Sequence, residues 1–147
     1  LILLDEKEDT INIITKVALQ NVPILVFPMK TSKEEIINRI LASKSSVSIE
    51  KIRLKKDLSN KDWEKLSSTM KEISNFKLYI DNTHQNSIRE ILSKCKKLKE
   101  EKNIELVVLE CSQLIQEDLK IIKELAKDLD ITIIATSEVT KKIKEVN

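Results

Sequence analysis

The chain predicts an α/β fold, with a parallel sheet of five strands covered by helices on both faces. Three observations carry this. Five short runs rich in Ile, Leu and Val recur along the chain, the segments between them place apolar residues at three- and four-residue spacing, and the runs themselves are apolar almost without interruption. Strands that alternate apolar and polar would leave one face to water, whereas continuous apolar strands separated by amphipathic helices are the pattern of a sheet buried on both sides. At 147 residues, 41% of them hydrophobic, the chain supports one well-buried core and hence a single domain over residues 1–147.

The elements follow in order. The first strand is Leu1–Leu4, followed by the charged stretch Asp5-Glu6-Lys7-Glu8-Asp9 and a helical pattern from Thr10. The second is Ile24–Phe27, and Ser32 with Glu35 then reads as a capping box, a hydroxyl and a carboxylate exchanging bonds with the first helical amides. After Ser59, the spacing of Trp63, Leu66, Met70 and Ile73 predicts a helix with those four side chains on its core face. The third strand is Leu78–Asp81. A second capping box, Ser87 with Glu90, opens a helix whose core face is Ile88, Leu92, Cys95 and Leu98. The fourth strand is Ile104–Glu110. Ile121, Ile122, Leu125, Ala126 and Leu129 form the next apolar stripe, and Ile131–Thr136 is the fifth strand. No internal repeat or low-complexity linker interrupts this order.

Composition excludes several classes. The net charge of +2 comes from interspersed signs, not from the one-sided basic face of a nucleic-acid binder. Cys95 and Cys111 both lie in apolar patterns, the usual place of reduced thiols, so no disulfide framework is expected. No run approaches the roughly 18 apolar residues that span a bilayer, and a soluble cytoplasmic protein without a membrane partner is expected. Leu1 is no initiator and falls within a strand pattern, so the chain is expected to be an excerpt of a longer polypeptide. Glycine is absent, where average usage near 7% predicts about ten. Sites that need φ > 0 or close backbone approach to a phosphate therefore lack their usual residue.

From Val47 the chain reads VSIEKIRLKKDLSNKDWEKLSSTMKEI, then LYIDNT, IELVVLECSQLI and LKIIKELAKDLDITIIATSEV. In that order and spacing it resembles the C-terminal, RecA-like ATPase domain of the DnaB family of replicative helicases, over nearly its whole length. The resemblance implies a RecA-like P-loop NTPase fold with sheet order 3-2-4-5-1 and the first strand at an edge. It also implies where ATP and magnesium are held in the family, and there this sequence departs.

The family's phosphate loop ends Gly-Lys-Thr, its amides and lysine on the triphosphate and its threonine on magnesium. Here the place reads Glu8-Asp9-Thr10, with only the threonine kept. Exchanging a lysine for an aspartate turns attraction into repulsion. A unit pair about 4 Å apart at an effective dielectric near 20 is worth roughly 4 kcal/mol, comparable to the whole binding energy of a millimolar ligand. After the second strand the family reads Ser-Leu-Glu-Met-Ser, its glutamate activating water, whereas this chain has Pro28-Met29-Lys30-Thr31-Ser32. Lys30 cannot be that base. Glu110 stands at the family's magnesium-ordering aspartate, and Ser137-Glu138 matches its γ-phosphate-sensing Ser-Gln with an added negative charge. The family's glycine- and arginine-bearing DNA loop is missing. Ile115 runs through Gln116, Glu117 and Asp118 into a helix, and the chain is only 3% aromatic, poor in the stacking groups that single strands need.

Each of these residues also has a plainer reading. Thr10 opens a helix and reads first as an N-cap. Glu110 lacks a second acid or histidine at ligand spacing. His84, in the loop after the third strand, reads as a surface histidine, and Lys94, Lys96, Lys97, Lys99 and Lys102 read as a solvated helix face broken by Glu100 and Glu101.

The expectation is a degenerate DnaB-like domain, a pseudo-ATPase. Glu8, Asp9 and Thr10 are vestigial nucleotide positions, Glu110 is a vestigial metal position, and Lys30 and Glu138 replace catalytic groups. It is expected to bind neither ATP nor magnesium and not to bind DNA. Its expected role is interaction in DNA replication, through self-association or a RecA-like helicase subunit. Two other readings stay open: a fragment of an active ATP-dependent helicase with varied motifs, and a helicase-loader or replication-initiation accessory.

Overall fold

The computed structural model describes residues 2–4, 10–28, 31–83, 87–110 and 116–136. Among these, five strands, β1 (Ile2–Leu4), β2 (Ile24–Phe27), β3 (Leu78–Ile80), β4 (Leu106–Glu110) and β5 (Thr132–Thr136), alternate with six helices. The helices are α1 (Thr10–Leu19), α2 (Lys33–Ser45), α3 (Ile49–Leu54), α4 (Asn60–Ser74), α5 (Ile88–Lys102) and α6 (Gln116–Leu129). The strands pair in parallel, in the order β1-β5-β4-β2-β3, the expected order read from the opposite edge.

Burial on both sides explains the unbroken apolar strands: every residue of β2 is buried, as are Leu106–Leu109 and Ile133–Thr136. α5 and α6 cover one face around Phe27, Cys95, Val107, Leu109, Ile122 and Ile133. α1, α2, α3 and α4 cover the other around Ile14, Val26, Ile40, Leu66, Val108 and Ile134. Cys95 is fully enclosed, and burial pushes its thiol up to about 12. Cys111 lies outside the described residues.

Several expectations are corrected. Asp81 lies one residue beyond β3, although its N–H still bonds Val26 O at 2.9 Å. Ile104 and Ile131 precede their strands, yet both are buried. Trp63 and Met70 of α4 are not core residues: they are 52% and 47% exposed, whereas Leu66 and Ile73 of the same helix are buried. Ile121 of α6 also faces outward.

Ser32 and Ser87 cap α2 and α5, each accepting from the N–H three residues on. Neither pair makes the reciprocal carboxylate-to-backbone bond, because Glu35 is drawn to Arg53 of α3, whose Nε lies 3.2 Å from it, and Glu90 receives the Ser87 hydroxyl instead. The Arg53 guanidinium holds the Glu35 carboxyl below its ordinary value. The reciprocal box forms at α4, between Ser59 and Asp62.

The lack of glycine does not remove left-handed backbone. Asn21, Ser46, Lys55, Asp57, Asn103 and Asp130 all take φ between 52° and 63°. Asn and Asp bear this conformation at least cost, because their short polar side chains bond locally. After α6, Asp130 N–H reaches Lys127 O and Ile131 N–H reaches Ala126 O, a Schellman ending with aspartate where glycine is usual.

Candidate functional site

In a parallel sheet all strands end on the same side, and ligands of open α/β folds sit at that carboxyl edge where successive connections diverge. Here the divergence lies between β2 and β4. From β2 the chain passes through α2, α3 and α4 outward to β3, and from β4 through α6 the other way to β5. The strand ends are in register across this edge, with Leu4 beside Thr136, Thr136 beside Glu110, and Phe27 beside Leu109.

Glu110, half-buried at the end of β4, closes that crevice. Its Oε1 accepts from Thr31 N–H at 3.1 Å, and the Thr31 hydroxyl lies 3.3 and 3.4 Å from Oε2 and Oε1. Thr31 sits just before the Ser32 cap, so a short β2–α2 connection presents a backbone amide to the carboxylate. Glu110 is therefore bonded across the crevice to its neighbouring loop. Sequence reasoning named Glu110 and missed Thr31; a hydroxyl directly before an N-cap serine, in the loop after a buried strand, was its only signal.

One strand further out, Asp81 anchors a second polar group. Its Oδ1 accepts from Thr83 N–H at 2.7 Å, an Asx turn, and its Oδ2 lies 2.8 Å from Lys94 Nζ, which also donates to Thr83 Oγ1 at 3.0 Å. Lys94 thus ties α5 to the β3 end and is not part of a solvated stripe. Lys99 also turns inward, its Nζ 3.4 Å from Ile104 O. Between the β2 and β3 ends and the start of α2 lies an open cavity of about 660 Å³, lined among others by Pro28, Thr31, Ser32, Asn38, Asp81 and Thr83.

Thr10 is the first residue of α1, one place inside the helix where an N-cap had been expected. It follows β1, while Glu110 ends β4, and β5 lies between those strands. At about 4.8 Å per strand, the ends of β1 and β4, Leu4 and Glu110, stand roughly 10 Å apart across the sheet. Glu8, Asp9, Lys30, His84 and Glu138 lie outside the described residues. Among the described residues no three His, Cys, Asp or Glu side chains come together as a metal site, and no helix is long and apolar enough to cross a membrane.

The fold and the order of these strand ends are matched elsewhere. The family model of the DnaB-like helicase C-terminal domain covers residues 9–147. This chain belongs to that family. Among curated relatives, the replicative DNA helicase DnaB of Geobacillus stearothermophilus is 28% identical over 92% of this chain and 33% of its own length. A probable replicative DNA helicase of Trieres chinensis is 32% identical over 90% of this chain and 32% of its own length. The chain thus spans about a third of these relatives. Two solved structures share the fold over 92% of the chain. One is an ATPase domain, with a TM-score of 0.79 at 22% identity over 55% of that chain. The other is a DnaB-like replicative helicase described with its primase interactions, with a TM-score of 0.78 at 20% identity over 38% of that chain.

Proposed function

We propose that this chain is a catalytically degenerate DnaB-like domain that acts in DNA replication by protein interaction, without using ATP. The observation that carries the reading is the sequence at the family's phosphate loop: no glycine, and Glu8-Asp9 where a glycine and a lysine belong. The bond from Thr31 to Glu110 supports it, since the magnesium-ordering position is engaged by a neighbouring loop. The partner that fits is another RecA-like subunit, a second copy or an active helicase.

Calorimetry with magnesium-ATP at millimolar concentration tests the reading. The expected result is no saturable heat, and a dissociation constant below about 0.1 mM, near −5.5 kcal/mol, overturns it. The rival, a piece of an active helicase, is favoured by the retention of Thr10 and Glu110. Phosphate release separates the two. Replacing Asp5–Asp9 by a glycine-bearing loop ending Gly-Lys restores amides and positive charge, and turnover is expected to need Lys30→Glu as well. Turnover by the unmodified chain, in a preparation free of contaminating ATPase, decides for the rival.

A further inference from the structure

Between α2 and α4 the chain runs through residues 47–58 with little of its own to hold it in place. Only Val47 and Ile52 of this stretch are buried, and Leu54 is 67% exposed. Its regular structure is the six residues of α3, and Ser48 before them makes no side-chain cap bond. A helix that short has no stability apart from its packing. Left-handed residues stand at both ends, Ser46 with φ 63° before it and Lys55 and Asp57 with φ 53° and 59° after it. None is glycine, so each adds a local cost that the fold has to offset.

We propose that residues 47–58 form a strap fastened by charge, which opens as a unit from the otherwise folded protein and is released by salt. Two basic residues make the fastening, one on each side of the buried Ile52 in sequence. Arg53 grips Glu35 of α2 with two guanidinium nitrogens, its Nε 3.2 Å from Oε2. Lys51 Nζ lies 3.6 Å from Asp62 Oδ2 of α4. Residues two apart on a helix point about 200° apart, so the two cations reach opposite neighbours. Both carboxylates belong to first helical turns, three residues after the capping serines Ser32 and Ser59. They also have partners that remain when the strap leaves. Glu35 Oε1 is 3.4 Å from Arg39 Nε, and Asp62 Oδ2 accepts from the Ser59 N–H at 3.1 Å. Opening therefore strands no carboxylate, and Lys51 and Arg53, already exposed, pass into water. Few buried apolar groups and exposed backbone bonds mark the segments of a protein that open first. Ion pairs at the surface are the contacts that added salt screens.

Amide hydrogen exchange of the folded chain, followed residue by residue by NMR and expressed as protection factors, tests the strap. The reporter is the Ile52 N–H, bonded to Ser48 O at 3.2 Å, and the references are the amides of the buried Ile40 in α2 and Thr69 in α4. Ile52 is expected to be protected at least about tenfold less than either reference. Raising sodium chloride from about 0.05 M to about 1 M is expected to lower its protection about threefold or more while the references hold. The variant carrying both Lys51→Gln and Arg53→Gln is expected to show that loss at low salt and to respond no further when salt is added. Both positions are exposed, and unchanged protection of Ile40 and Thr69 confirms that the variant is folded. A common protection factor for all three amides overturns the separate opening. An Ile52 amide that ignores both salt and the double substitution overturns the charge fastening. Neither result touches the nucleotide reading, which calorimetry decides separately.

Discussion

α6 and α4 are helices of nearly equal length, one on each side of the sheet, and both are amphipathic. They use their apolar residues differently. In α6, Ile122, Leu125 and Ala126 are buried directly against Phe27, Val107, Leu109 and Ile133, and only Ile121 turns out. α4 shares its face of the sheet with three other helices. Its narrow inner stripe is satisfied by Leu66, Thr69 and Ile73, while Trp63 and Met70 remain outside. A helix laid straight onto a sheet spends its whole apolar stripe in the core, whereas one at the margin of a crowded layer has apolar surface left over.

The contrast is broken most severely in α6. Ile122, 1% exposed, has no room to be replaced by solvent, and Ile122→Ala is expected to cost about 3–4 kcal/mol, read as a fall in the denaturant midpoint at unchanged slope. A loss below about 1 kcal/mol would mean that this layer is not close-packed.

A middle-sized effect is expected at the start of α4. With less core contact, that helix depends more on its closed capping box, and Ser59→Ala is expected to cost about 1 kcal/mol by thermal or chemical unfolding. The same box sets a pH signature. The Ser59 backbone N–H, and then Lys51, hold the Asp62 carboxyl below its ordinary value of 3.8. A lowered folded-state value means that this contribution is present in full above the unfolded value and is lost as pH falls through the folded one. Asp62→Asn is therefore expected to flatten the acid limb of the stability profile below about pH 4 and to leave its shape near neutrality unchanged.

The smallest effect sharpens the contrast. Met70→Ala, on the exposed flank of the same helix, is expected to change monomer stability by less than about 0.5 kcal/mol in dilute solution. If it costs as much as Ile122→Ala, the flank is covered within the monomer and the contrast fails.

Much of the fold was legible in the residues. Unbroken apolar strands such as Ile24–Phe27 called for a sheet covered on both faces, the helical stripes filled the gaps, and Ser32 and Ser87 marked helix starts, because capping and periodicity are local properties. The strand order came from the resemblance to the DnaB family, not from periodicity. At the candidate site, the standing of Glu110 at a strand end was equally plain.

Tertiary structure decided the rest. Periodicity placed Trp63, Leu66, Met70 and Ile73 together on one core face, and only the packing of the other helices covers Leu66 and Ile73 while leaving Trp63 and Met70 exposed. Lys94 read as one of several solvated lysines until folding brought α5 beside Asp81. Glu110 and Thr31 are 79 residues apart in sequence, and only the pairing of β4 with β2 makes them bonding partners. The physical reason is the same in each case. Backbone propensity and hydrophobic pattern act within a turn or two of chain, while burial and hydrogen-bond partners depend on which distant segments arrive at the same place.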